Sequence, residues 1–332
     1  MRDSKRMKQF WLIWDRFGIF IIFILVAAIF AIIEPRVIAP AQIISVLNRS
    51  SWVAIAALGM TFAICSGGFD LSVGSIVSLS GSILAKTMME NDFSTTGAIL
   101  TTLVIAVVLG LINGVLITKL KIVPFVATLS TMLLYSGVTR AYTLNQGTRI
   151  ATERFGEGLN WIGRGNLFGT EEFAGIPSKI LIVLFFLVLA IILYRNTRVG
   201  TKVRAIGSND LAARTSGINA DGVIIIVYIL TAVTAAVAAI LFTSTTQGSS
   251  PRAGVGWELD VITAVVLGGT ALSGGKGNII GTFAGAFLVA FVGMCLNFLS
   301  APEAVIIMVT GGILLLALSI NGIKLIMNRE VS

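Results

Sequence analysis

The chain has 332 residues, of which 56% are hydrophobic and 12% charged, with a mean hydropathy of +0.95. Soluble domains carry about 25% charged residues, so this composition excludes an ordinary soluble enzyme and points to a polytopic membrane protein. The net charge of +8 sits at the ends of apolar runs, which reads as orientation charge and excludes a nucleic-acid-binding patch.

A spanning helix takes about 20 apolar residues, and the apolar runs read as ten helices in one all-α transmembrane domain over residues 1–332. A basic segment, 1–16, precedes the first run, Phe17–Ile33, which is too long and too bulky at its end for a cleaved leader. The second runs from about Ser51 to Cys65, the third is Leu71–Met88, the fourth Thr96–Thr118, and the fifth Val123–Tyr142 with Pro124 in its first turn. The sixth is Lys179–Tyr194 and the seventh Val223–Phe242. The eighth, Val261–Leu272, is short and is expected to start earlier, near Gly254. Ile279–Leu299 and Val305–Lys324 complete the set.

With the amino terminus inside, 15 of the 24 basic residues fall on inner segments against six of the 16 acids. That bias predicts both termini in the cytoplasm. It places the long segment 143–178 outside, as a cap, a docking loop or a plain connector, and the segment 195–222 inside.

Between the second and third runs stands Ser66-Gly67-Gly68-Phe69-Asp70-Leu71-Ser72-Val73-Gly74-Ser75. A broken helix is costly in lipid unless protein or a water-filled cavity covers its backbone. Half of the pattern returns 207 residues later as Ser273-Gly274-Gly275 with Gly281 and Thr282. Paired breaks in two apolar segments point to a transport path, with Gly67, Gly68, Gly74, Gly274 and Gly275 as the breaking positions. Gly74-x3-Ser78, Gly110-x3-Gly114 and Gly281-x3-Gly285 have the spacing of close helix contacts.

In the inner segment, Ser208 or Asn209 can cap a short helix, with Asp210 in its first turn, Arg214 near its end and Gly217 as its stop. So short a helix gains little alone; it is expected to dock on another protein, through Arg204, Ser208, Asn209, Asp210, Ala212, Ala213, Arg214 and Gly217. An ordinary inter-span loop is the alternative. No run places an ionisable group at the bilayer centre, which argues against proton coupling. The stretch Gly269–Lys276 lacks the first glycine and the final Ser or Thr of a phosphate loop, so any nucleotide hydrolysis belongs to a separate chain. With no histidine, no metal centre, cofactor site or catalytic triad is expected. Cys65 and Cys295 read as buried free thiols.

Several blocks in order resemble the carbohydrate branch of the branched-chain amino acid/ribose permease family, its ribose members most of all. They are Leu58-Gly59-Met60-Thr61, Ser66–Ser75, Ala205-Ile206-Gly207 with Ala212-Ala213 and Ser216-Gly217-Ile218-Asn219, Gly256 with Glu258-Leu259-Asp260, Val265–Thr270, and Ser273–Gly277. Phe69 departs from that branch, which usually has Ile there, and can narrow the path or simply pack. The resemblance implies the membrane subunit of a bacterial ATP-binding cassette importer in the inner membrane. It also implies a second permease subunit, a cytoplasmic ATPase docked at the Asn209–Asn219 region, and an outer sugar-binding protein. Path candidates are the polar or aromatic residues Thr61, Asn113, Thr128, Tyr135, Thr263 and Asn297, with Asp70 either capping the third span or touching sugar. The competing expectations are a stand-alone secondary carrier, a permease for an amino acid or nucleoside, and a scaffold without transport.

Overall fold

The computed structural model describes the backbone of residues 2–91, 93–167 and 175–329, and side chains within 18–319 of these. The amino-terminal charges in 1–16, the carboxy-terminal Lys324 and Arg329, and part of the 143–178 segment therefore lie outside the described side chains. The described chain is all-α apart from two short two-stranded ribbons.

Its helices are α1 (Arg2–Ile33), α2 (Pro40–Cys65), α3 (Val73–Glu90), α4 (Thr95–Thr118), α5 (Pro124–Thr143), α6 (Glu157–Arg164) and α7 (Ser178–Asn196), followed by α8 (Arg198–Ser208), α9 (Asp210–Thr215), α10 (Ala220–Thr246), α11 (Trp257–Leu267), α12 (Ile279–Phe298) and α13 (Glu303–Arg329). Each of the ten apolar runs is a helix. Five helices, α2, α4, α7, α10 and α12, are long and apolar enough to cross a membrane, and Gly18–Ile33 and Glu303–Ser319 are shorter apolar stretches.

Three boundaries differ from the sequence expectation for local reasons. α2 begins eleven residues earlier, at Pro40, where proline serves as the first helical residue. α11 does begin before Val261, at Trp257 just past Gly256 (φ +86°), but it ends at Leu267 rather than Leu272, where Gly268 and Gly269 (φ +85°) lead into turns. The 143–178 segment holds α6 and strands β1 (Thr148–Arg149), β2 (Asn166–Leu167) and β3 (Ile176–Pro177). β1 pairs antiparallel with β4 (Gly248–Ser249), tying this segment to the end of α10, and β2 pairs with β3.

The core is centred on α2 and α10, with α3, α4, α11 and α12 packed around them. In lipid there is no hydrophobic drive between apolar helices, so association rests on close van der Waals packing and small residues. Gly110 and Gly114 bring α4 against the α10 backbone: a Cβ on either would stand within 2.6–2.8 Å of the backbone at Tyr228, Ile229 or Ile225. Gly281 and Gly285 do the same for α12 against the carbonyls of Gly268 and Ala264 in and after α11. Gly74 lies against the carbonyl of Gly254, whose N–H donates to Ser78 Oγ at 2.9 Å. All three small-residue pairs are close backbone contacts, two of them helix to helix and the Gly74–Ser78 pair from α3 to the turn before α11. Cys65 and Cys295 are buried free thiols.

Candidate functional site

The first break is closed by its own turn and walled by three helices. After Cys65, the N–H groups of Gly67 and Gly68 donate back to Ile64 and Ala63 at 3.0 Å each, and Gly67 sits at φ +87°, where a side chain would be strained. The chain then turns through Asp70, whose Oδ1 accepts from the Ser72 N–H at 2.9 Å and from the Ser72 hydroxyl at 2.5 Å. Asn113 of α4 donates to Ser72 Oγ at 2.8 Å. The Phe69 carbonyl accepts from Tyr228 of α10 at 3.2 Å, and Thr128 of α5, whose hydroxyl donates to the Pro124 carbonyl at 2.9 Å, stands 3.3 Å from it. Asp70, Ser72, Asn113 and Thr128 are fully buried, so protein covers the exposed backbone that a break creates.

The second break lies beside the first. Gly269, Gly274 and Gly275 take φ +85°, +81° and +77°, and Asn278 caps α12 by accepting from the Gly281 N–H at 3.0 Å. The Gly275 N–H donates to the carbonyl of Cys65, the last residue of α2, at 2.8 Å. Two segments 210 positions apart thus share a backbone hydrogen bond. One turn further into both helices, Thr61 and Thr282 pair through their hydroxyls at 3.0 Å.

The 195–222 segment closes the same junction. A Cβ on Gly207, near the end of α8, would run into the Cys65 carbonyl and the Gly275 N–H. Tyr194, at the end of α7, accepts from the Gly277 N–H at 2.6 Å and stands 3.4 Å from Cys65 Sγ. Arg204 of α8 donates to the Tyr194 carbonyl at 2.7 Å, with its guanidinium 4.9 Å from the ring centre.

Beyond the junction, α9 has the expected cap: Asn209 accepts from the Ala212 N–H at 2.9 Å, and Gly217 takes φ +82° past its end. Arg214 binds Asp210 at 2.9 Å and Asp221 at 2.8 Å, and these two carboxylates, Asp210 first, hold its guanidinium above its ordinary range. Lys119 and Lys121, which follow α4, reach the same Asp221 at 3.7 and 3.5 Å. Ala213 is buried, while Leu211 points outward at 74% exposure.

The structure brings Asp70, Asn113 and Thr128 together at the first break and sets Thr61 at the α2–α12 contact. Tyr135 is buried with its hydroxyl donating to the Leu109 carbonyl at 3.0 Å. Thr263 is buried on α11 and bonds Leu259 of its own helix, and Asn297 is exposed near the end of α12, bonding Gly293. Asn297 lies at the end of α12 away from the second break. Ser72 and Gly207 belong to the site and stand in the quoted sequence blocks without a role of their own, and Tyr194 and Tyr228 also belong to it though neither is a site candidate from sequence. Tyr194 and Tyr228 carried a signal, since a phenol in an apolar run needs a partner for its hydroxyl. Among the described residues, no three His, Cys, Asp or Glu side chains gather as a metal site.

The chain matches the model of the family described as branched-chain amino acid transport system/permease component over residues 42–318. It is 38% identical to the ribose import permease protein of Haemophilus influenzae, over 84% of each chain. It is 36% identical to the galactofuranose transporter permease protein of Escherichia coli, over 74% of this chain and 69% of that one. Identity to the D-allose transport system permease protein of the same organism is 30%, over 96% and 95%. No solved structure matches it.

Proposed function

This chain belongs to the branched-chain amino acid transport system/permease component family, and we propose that within it the protein is the membrane subunit of an ATP-binding cassette importer for a monosaccharide. Relatives at 30–38% identity are permeases for ribose, galactofuranose and allose, which supports a ribose-like sugar as cargo. The protein is a transport subunit rather than an enzyme. It spans the bacterial inner membrane about ten times with both termini inside, pairs with a second permease subunit, and receives sugar from an outer binding protein.

The observation that carries the proposal is the junction of the two breaks with the inner segment. A capped, charge-anchored helix, α9, presents an exposed leucine beside the contact between the two broken helices. That arrangement suits a cytoplasmic ATPase docked on α8 and α9, with nucleotide state biasing inward-open and outward-open forms of the path. Ribose uptake into vesicles holding the complete importer tests it: uptake requires ATP and the ATPase chain. Gradient-driven ribose uptake by this chain alone identifies a secondary carrier instead.

A further inference from the structure

We infer that α8 transmits ATPase movement to the path through two contacts, Gly207 on the paired breaks and the Arg204–Tyr194–Gly277 relay. The inference rests on the importer reading above and deepens it. The inner segment touches the breaks here through groups that leave no room for adjustment. Gly207 lies against both the Cys65 carbonyl and the Gly275 amide, the two ends of the hydrogen bond that joins the breaks, and Gly274 faces Gly207 in turn. Ser208 packs on Gly275. A shift of α8 along its axis therefore cannot leave that hydrogen bond intact, because packed contacts rearrange between discrete arrangements rather than deform smoothly.

The relay gives the same motion a second lever. Arg204 grips Tyr194 by its carbonyl and its ring, and the Tyr194 hydroxyl holds the Gly277 amide beside Cys65. Moving α8 drags Arg204, and with it Tyr194, a side chain that bridges both breaks. Val203 and Ile206 are buried on the same helix, which makes α8 a rigid, anchored lever rather than a loose loop. Tyr194, Arg204 and Gly207 are positioning residues: in this account none touches sugar or nucleotide.

The test uses vesicles with the complete importer and ribose as probe, in a Cys295→Ser background so that Cys65 is the one thiol of this chain. Maleimide labelling of Cys65 is expected to rise about fivefold or more in the ATP–vanadate-trapped state, the lower end of coupling between sites. Tyr194→Phe keeps the ring and the Arg204 contact but drops the hydroxyl. It is expected to preserve ATP hydrolysis, lower ribose carried per ATP about fivefold and flatten the labelling response. Gly207→Ala should show the same signature more strongly; if it fails to fold, Tyr194→Phe decides. Labelling of Cys65 that ignores nucleotide, or a Tyr194→Phe importer with the wild-type ribose-to-ATP ratio, overturns the relay while ATP-dependent uptake keeps the importer reading. Ribose carried without ATP by the unaltered chain overturns both.

Discussion

The hydrogen on Thr61 Oγ1 is committed to the Ala57 carbonyl at 2.8 Å, so in the 3.0 Å contact with Thr282 it is Thr282 that donates. The two threonines are therefore unequal partners. Thr61→Val leaves the Thr282 hydroxyl buried without an acceptor and should cost about 1–3 kcal/mol. Thr282→Val leaves Thr61 its own bond and should cost about 0.5 kcal/mol, and the double variant should recover most of the first loss. Unfolding in detergent, followed for the three variants, reads this order, and equal losses from the two single changes would refute it. Asp70 invites a similar separation. Its carboxylate is buried and serves the Ser72 N–H and hydroxyl through one oxygen. Asn supplies that oxygen, so Asp70→Asn should keep both folded yield and uptake, whereas Asp70→Ala should lose about 1–2 kcal/mol and yield. A well-folded Asp70→Asn protein without uptake would assign the charge to sugar instead.

Among the elements, α9 was legible because everything that defines it is local. Asn209, Asp210, Arg214 and Gly217 lie within nine positions, and their cap, ion pair and left-handed stop all follow from short-range rules. α8 was not, since Arg198–Ser208 mixes three basic residues with glycines and is held by Val203 and Ile206 packing on distant helices. The first half of α2 was hidden likewise, because Gln42, Asn48 and Arg49 dilute its apolar pattern. The exposed side chain of α9 supplies its own test. Leu211→Asp should leave folded yield unchanged, because the residue stands at 74% exposure. It should also abolish recovery of the ATPase with the purified chain, as removing a central apolar anchor from an interface does. Full ATPase recovery with that variant would move the docking site elsewhere.

For the whole molecule, the paired glycine breaks were readable as chemistry but not as neighbours. Nothing in one sequence reports that Gly275 reaches Cys65 or that Gly207 wedges against both; such contacts depend on how α2, α8 and α12 are stacked. The apolar helices were accessible from apolar runs, whereas α6 and α8 were not, and α11, at 11 residues, fell short of its expected length. Orientation is set by charge bias rather than by packing, so it calls for its own measurement. Fusions ending near Gln146 should activate a periplasmic reporter, and fusions ending near Leu211 or at the carboxy terminus should fluoresce in the cytoplasm. A fluorescent fusion at Gln146 would invert the topology.

The brevity of α11 bears on how the protein is made. Eleven residues rise about 16 Å, roughly half of a hydrocarbon core of about 30 Å. A segment that short, opening with Glu258 and Asp260, offers the insertion machinery no complete stop-transfer signal as it emerges from the ribosome. α12 does, at 20 apolar residues. The two are clamped together through Gly268, Gly281 and Gly285, so α11 is expected to enter the bilayer together with α12. On that expectation, assembly of the second break waits for synthesis to pass Phe298, and pulse-labelled chains truncated before Phe298 should leave α11 outside the bilayer.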